Sequence, residues 1–196
     1  MPSLPIEPFH DKASLRKHLS ALRNGLSEDV RRESSDRICA ALLSLPQYQS
    51  SGTVLLYAPI RSEVDLMPLA RIALSEGKSV AFPISHVDST TLTFHRITSA
   101  EDLVTGAYGI REPSASLPLV TDFSDSLCLV PALALDRFGY RLGYGKGFYD
   151  RHLAHFDGVS VGVCFGDCLI DRLPHDAHDR RVDLILTEGG VVFPHE

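Results

Sequence analysis

Leucines recur every three to four residues from Asp11 onward, at Leu15, Leu19, Leu22 and Leu26, which is the spacing of one buried helix stripe. Asn24-Gly25 marks where that helix frays. Lys12, Arg16 and Arg23 project beside the stripe, given a turn of roughly 100° per residue. Two readings of these cations stay open. Their stems rest on the core edge with the charges in water, or they form a cationic arm whose apolar side docks while its charges reach an anion. Ser27 reads as the N-cap of a second helix, with Glu28 and Asp29 complementing its positive end. Val30, Ile38, Ala41, Leu42 and Leu45 form its expected buried stripe, and Pro46 its stop. The period then changes. Strands are expected over 53–58, 79–84 and Thr91–Ile97, the last alternating like a half-exposed strand. A helix over 65–76, capped by Asp65 and stopped by Gly77, separates the first two. Near-continuous apolar runs over 127–135, 159–165 and 182–187 read as strands covered on both faces.

Strands alternating with helices predict an α/β domain with a mostly parallel central sheet. In such sheets ligands bind beyond the carboxyl ends of the strands. Polar clusters over 61–65, 136–150 and 167–183 occupy that kind of position. With 196 residues and neither repeat nor long linker, the chain reads as one domain over 1–196, its first ten residues expected to be flexible. The formal net charge of −6 argues against a nucleic-acid groove, so any cationic site is a local concentration against an acidic background. No apolar run approaches the ~18 residues a bilayer demands, and the N-terminus lacks the basic and apolar regions of a secretory leader. Neither membrane nor obligate protein partner is expected, and the expected location is cytoplasmic. Cys39, Cys128, Cys164 and Cys168 fit a reducing compartment, with Cys128 and Cys164 inside apolar runs as small core residues.

The richest stretch lies over 127–151. After its apolar run comes a loop with Gly139, Gly143, Gly145 and Gly147, carrying Arg137, Arg141 and Lys146, and then a helix starting near Phe148. Glycine lets the backbone approach a ligand and aim N–H groups at it. A strand, a cationic glycine loop and a helix N-terminus together describe a polyphosphate cradle. The loop is not a Walker A motif, because Tyr140 stands where that pattern needs glycine and Gly147 where it needs Ser or Thr. Nor do its glycines follow G-x-G-x-x-G. Lys146, flanked by glycines, is free to follow a moving phosphoryl group, and Arg141 supplies a planar fork for phosphate oxygens. His175, Asp176, His178 and Asp179 hint at zinc, although His and Asp so close together in a loop are more often solvated.

This segment resembles the signature of the 5-formyltetrahydrofolate cyclo-ligase family, approximately P-G-x-A-F-D-x-x-G-x-R-L-G-x-G-x-G-Y-Y-D. It stands here as Pro131, Ala134, Asp136, Gly139, Arg141-Leu142-Gly143, Gly145, Gly147 and Phe148-Tyr149-Asp150. Ala132, Leu135 and Phe148 depart from the pattern. The resemblance extends along the chain. Lys12 and Arg16 match the family's K-x-x-x-R, and Tyr57 to Asp65 matches its strand and acidic turn with Glu63 in place. Tyr108-Gly109-Ile110 before Glu112-Pro113 looks like G-I-x-E-P, and His178-Asp179 with Val182-Asp183 like H-D-x-x-V-D. The implied fold is a single three-layer domain, Rossmann-like and similar to the sugar-phosphate isomerase and CoA-transferase type.

What the resemblance implies is an ATP- and Mg2+-dependent ligase acting on a reduced folate. ATP phosphorylates the N5-formyl oxygen, N10 closes the ring, and 5,10-methenyltetrahydrofolate, ADP and phosphate result. By family position the catalytic groups are Lys146, Arg141 and Tyr149. ATP would lie against Lys12, Arg16 and the whole segment Arg141, Leu142, Gly143, Tyr144, Gly145, Lys146, Gly147, Phe148 and Tyr149. The folate would contact Tyr57, Ala58, Glu63 and Tyr108, together with Tyr144, Gly145, Lys146, Gly147 and Phe148. Asp150 and Asp179 would hold the metal, although Asp150 by itself reads more readily as a carboxylate complementing a helix dipole. Two rival readings are a sugar-phosphate isomerase or CoA-transferase-like enzyme, which needs no ATP, and a nucleotide-binding module, which needs no acid at Glu63.

Overall fold

In the computed structural model, residues 11–195 are described, and the expectation for the first ten lies outside them. Helix α1 (Lys12–Gly25) starts where Asp11 turns its carboxylate back onto the Ala13 and Ser14 N–H groups, at 2.7 and 2.8 Å. Helix α2 (Glu28–Leu43) starts as expected at Ser27. Its buried stripe runs through Ser34, Ser35, Ile38, Cys39 and Leu42; Val30 is 47% exposed, because the first turn of α2 projects into solvent. Pro46 does more than stop α2, since it opens the short α3 (Pro46–Ser50), in a position where its missing N–H costs nothing.

Strand β1 (Thr53–Leu55) is shorter than the expected 53–58, because the chain leaves the ladder before Tyr57 and Ala58, both still buried. Helix α4 (Met67–Ser75) is entered from Leu66 rather than Asp65, although Asp65 still accepts from the Met67 N–H at 2.9 Å. Strands β2 (Ser79–His86) and β3 (Thr91–Ile97) form an antiparallel hairpin, and β4 (Leu103–Thr105) pairs with β5 (Arg111–Pro113) as a small ribbon. The apolar run over 127–135 is two strands, not one. Strand β6 (Ser126–Pro131) ends at a proline, which lacks a ladder donor, and β7 (Ala134–Asp136) joins a different sheet. There follow β8 (Arg141–Leu142), α5 (Phe148–Leu153), β9 (Val159–Val163), β10 (Leu169–Ile170), β11 (Leu184–Thr187) and β12 (Gly190–Val192). The runs over 159–165 and 182–187 thus pair over shorter spans than expected, and β12 was not expected at all.

The central sheet has the order β12-β11-β9-β6-β1-β2-β3. Every pairing from β11 to β2 is parallel, and both edge pairings are antiparallel. Alternation along its strands feeds two cores. Val54, Leu127, Leu129, Val161 and Leu184 face α2, α3 and α4, whereas Leu55, Cys128, Val130 and Ile185 face α1, α5 and the three-stranded sheet β10-β7-β8. The result is a three-layer α/β fold. Among the described residues no helix is long and apolar enough to cross a membrane.

Candidate active site

Beyond the carboxyl ends of β1, β2 and β6 the chain leaves a cleft of about 970 Å³. Two walls face each other across it. One is the turn that follows β1, carrying Glu63; the other is the glycine loop between β8 and α5.

Asp136 sets the base of the glycine loop. Its fully buried carboxylate accepts the Phe138 and Tyr140 N–H groups at 2.9 Å and the Leu173 N–H at 2.8 Å. Such a carboxylate ties β7, β8 and the 173 segment into one unit, because its desolvation is offset only while all three donors stay in place. The loop then passes through Gly145 (φ 88°) and Gly147 (φ 74°), both in the left-handed region that suits glycine. Helix α5 has only six residues, so the expected contribution of a helix N-terminus is small, which leaves the loop and the cations that line the cleft.

Those cations arrive from three directions. Arg141 is nearly buried and engages Asp150 Oδ1 at 2.7 Å and the Arg180 carbonyl at 2.8 Å. Burial lowers its pKa and Asp150 opposes that shift. Arg16 donates to the Gly143 carbonyl at 2.8 Å and lies over Gly145. Lys12 bridges Asp176 and Asp179 at 2.6 and 2.5 Å. Burial works against the charges of Lys12 and Asp179, but the bonds from Asp176 and Asp179 raise the lysine pKa, and those from Lys12 and the Asp176 N–H lower that of Asp179. Lys146 is exposed and forms no ion pair with any described residue. The zinc reading finds no support: among the described residues no three His, Cys, Asp or Glu side chains cluster as metal ligands, and His175 stacks on Tyr140 at 3.8 Å.

On the opposite wall Glu63 is 9% exposed, and its Oε2 accepts only the Ile60 N–H, at 3.0 Å. Burial pushes its carboxyl up to about 7, against the pull of the Ile60 N–H, Arg23 and Arg61. Tyr57 turns its hydroxyl to the Val64 carbonyl at 3.0 Å, so only its ring and the Ala58 methyl wall the cleft. Tyr108 is 59% exposed with a left-handed φ of 56°. Its loop is held by Glu112, which accepts from Ser85 N–H at 3.0 Å and Ala107 N–H at 3.2 Å. Tyr149 packs against the core with a buried hydroxyl that has no hydrogen-bond partner, an orphan donor at the cleft lining.

All the residues expected at the site open onto this one cleft, from Lys12 and Arg16 through Tyr57, Ala58, Glu63 and Tyr108 to the whole of 141–150 and Asp179. Arg61, Glu112 and Asp176 also line the cleft, although sequence reasoning gave Arg61 and Glu112 no role there and took Asp176 only as a hint of zinc. Arg61 had one available signal, its place two residues before Glu63. The snorkelling reading fails for Arg23, which is only 3% exposed and inside the protein.

Gly145→Ala tests the cradle. Its Cβ would need a left-handed backbone and would sit 3.2 Å from Arg16 Cζ. The left-handed cost is about 1–2 kcal/mol. If a nucleotide lies against this loop, as the resemblance implies, we expect a small loss of melting temperature and a KM for ATP raised roughly tenfold, because Arg16 must shift by a few tenths of an ångström on its Gly143 carbonyl. An unchanged KM would show that this backbone is remote from the nucleotide.

Comparison with known proteins places these features in context. The family model described as the 5-formyltetrahydrofolate cyclo-ligase family matches residues 8–188. A curated relative from Mycolicibacterium smegmatis, named 5-formyltetrahydrofolate cyclo-ligase, is 34% identical over 92% of this chain and 96% of its own length. One of the same name from Escherichia coli (strain K12) is 28% identical over 86% of this chain and 96% of its own. The NMR structure of 5,10-methenyltetrahydrofolate synthetase from Aquifex aeolicus superposes with a TM-score of 0.84 at 39% identity, covering 94% of this chain and 93% of that one.

Proposed function

Since the chain belongs to the 5-formyltetrahydrofolate cyclo-ligase family and is an enzyme of that kind, we propose that it cyclises 5-formyltetrahydrofolate to 5,10-methenyltetrahydrofolate at the expense of ATP. The observation that carries this reading is that Glu63 and the backbone over 141–149 open onto the same cleft. A nucleotide-sensing module has no use for a buried acid at Glu63, and a sugar-phosphate isomerase or CoA-transferase-like enzyme has no need of ATP, so the dependence of product on ATP separates the readings.

The formyl oxygen of an amide leaves poorly. In the proposed sequence that oxygen attacks the terminal phosphorus of ATP, an O–P bond forms and ADP departs. N10 then attacks the formyl carbon and loses its proton to solvent. The C–O bond breaks, phosphate leaves, and the methenyl cation remains. Such chemistry asks the protein for positioning and charge compensation. Lys146, with no partner to give up, follows the transferring phosphoryl; Arg141, Arg16 and Lys12 offset the remaining phosphate charge. Glu63, once ionised, accepts the donors on the pteridine edge. Tyr57, Ala58 and Tyr108 wall the ring, and the Tyr149 hydroxyl, which has no hydrogen-bond partner among the described residues, would donate to a ligand oxygen. The segment over 144–148 lies between the two ligands.

Magnesium would supply charge neutralisation between the phosphates. Asp150 and Asp179 suit it, because each spends a single oxygen on protein donors, Asp150 Oδ1 on Arg141 and Arg180 N–H, Asp179 Oδ2 on Lys12 and Asp176 N–H. One or two carboxylates completed by phosphates and water are the usual way in which proteins hold this ion, so a larger acidic cluster is not required. The test is direct. Pure protein with 5-formyltetrahydrofolate and Mg-ATP is expected to develop the absorbance of the methenyl product, and to show none when ATP is omitted. Product formation without ATP, or none with it, overturns the proposal.

A further inference from the structure

Arg23 is the most deeply placed cation in the molecule among the described residues, at 3% exposure. No carboxylate forms an ion pair with it among those residues. Its guanidinium instead donates to three segments distant in sequence. Nε reaches Ser62 Oγ at 3.1 Å, NH1 the Ala132 carbonyl at 3.4 Å and NH2 the Tyr144 hydroxyl at 2.6 Å. Ser62 in turn donates to Asn24 Oδ1 at 2.6 Å, so the last turn of α1 grips the turn after β1 with two adjacent side chains. Tyr144 is further covered by Arg61, whose guanidinium carbon lies 5.4 Å from the ring centre.

A buried charge without an opposite charge is an expensive way to fill space, and an apolar side chain of similar volume would serve packing alone as well or better. What Arg23 does and an apolar side chain cannot is bond at once to both walls of the cleft. Ser62 precedes Glu63 directly, and Tyr144 is the residue of the glycine loop between Gly143 and Gly145. Because Tyr144 accepts from Arg23, its own O–H proton stays available to the cleft. We infer that Arg23 is a positioning residue that locks the glycine loop to the Glu63 turn, so that occupation of the nucleotide half and of the folate half favour one another. This rests on the reading of the cleft given above.

Linkage makes the effect measurable, because a strut shared by two sites couples their affinities reciprocally. Calorimetric titration of the full chain with a non-hydrolysable ATP analogue, with and without saturating 5-formyltetrahydrofolate, reads that coupling. In the wild type the folate is expected to tighten nucleotide binding about fivefold or more. In Arg23→Lys, which keeps the charge but loses the fork, and in Ser62→Ala, the ratio is expected to fall towards one, while each ligand alone binds within a few-fold of wild type. A role confined to stability would lower the melting temperature or weaken both ligands together and leave the ratio intact.

A second readout is the pH midpoint of folate binding. Glu63 faces Arg23 from α1, Arg61 and the Ile60 N–H from its own turn, Tyr57 beyond β1 and Tyr149 from α5. Removing the first of these charges in Arg23→Gln should move that midpoint upward, whereas Ser62→Ala should leave it in place. An undiminished ratio in Arg23→Lys overturns the inference, and so does the same result in Ser62→Ala if the lysine variant fails to fold. A wild type that binds both ligands without coupling also overturns it, yet spares the reading of the cleft. A wild type that binds neither ligand sinks both.

Discussion

Lys146→Ala is expected to cut turnover by about 10³-fold while leaving the folded protein intact. The lysine is exposed and makes no ion pair with a described residue, so its removal leaves no buried partner behind, and the stability change should stay within about 0.5 kcal/mol. In the proposed reaction the loss therefore falls on the transition state, where charge moves onto the departing ADP and the other cations beside the glycine loop are already engaged. Arg141 is tied to Asp150 and Arg180, Arg16 to Gly143, and Lys12 to two aspartates. Steady-state kinetics beside a thermal melt decides the matter. A kcat near the wild-type value would show that Lys146 only decorates the loop. Arginine should restore little, because a planar fork flanked by two glycines cannot retrace the path of a compact ammonium.

Glu63→Gln carries the second large effect, and it runs in two directions. With its carboxyl pushed up to about 7 from an ordinary 4.5, the folded chain holds a proton that the unfolded chain releases. The stability attached to that proton is complete below about 4.5 and is lost as pH rises through about 7. At pH 8 the ionised, buried Glu63 thus costs the free protein on the order of 3 kcal/mol. Glutamine keeps an oxygen for the Ile60 N–H and never ionises. The variant should melt higher than wild type at pH 8, with a flatter stability profile between 4.5 and 7. Folate binding should weaken by about 10²-fold, since a carboxylate accepting ring donors contributes charged hydrogen bonds. ATP binding should change far less. Equal losses for both ligands, or a lower melting temperature at pH 8, would mark Glu63 as a structural residue.

Taken together, these two variants expose an asymmetry in the cleft. The glycine-loop wall is built from cations already satisfied by protein oxygens, with the Lys146 side chain unpaired among the described residues. The Glu63 wall holds a carboxylate at the edge of ionisation with a single N–H for support. In the proposed reading, the cost of ionising this buried acid lies on the side that would take the pterin, and binding the right set of donors would offset it.

Much of the site was legible in advance because its residues sit in short, ordered clusters. The glycine spacing over 139–147, the helical spacing of Lys12 and Arg16, and the acid after β1 each depend on only a few consecutive residues. Legibility failed where a side chain meets something distant. Arg23 shares its helical face with Lys12 and Arg16, yet its partners lie 39, 109 and 121 residues away. The apolar run over 127–135 concealed a change of sheet at Pro131, because apolar continuity looks the same whether a strand continues or two strands follow one another. Asp150 and Asp179 were visible as acids, but their pairing with Arg141 and Lys12 was not.

Periodicity, caps and turn glycines belong to a few neighbouring residues, whose dihedral and burial preferences hold wherever the segment ends up. That is why the alternation of helices and strands, the parallel sheet and the turn-rich glycine loop could be read from the order of amino acids. Burial of a charge, the pKa of Glu63 and the strut between two loops depend on which segments the sheet order brings side by side. Only when β1 and β6 lie adjacent, with α1 packed across the face they share with β7, does Arg23 meet Ser62, Ala132 and Tyr144 at once. Desolvation and hydrogen-bond geometry are properties of that meeting, and no stretch of chain contains them by itself.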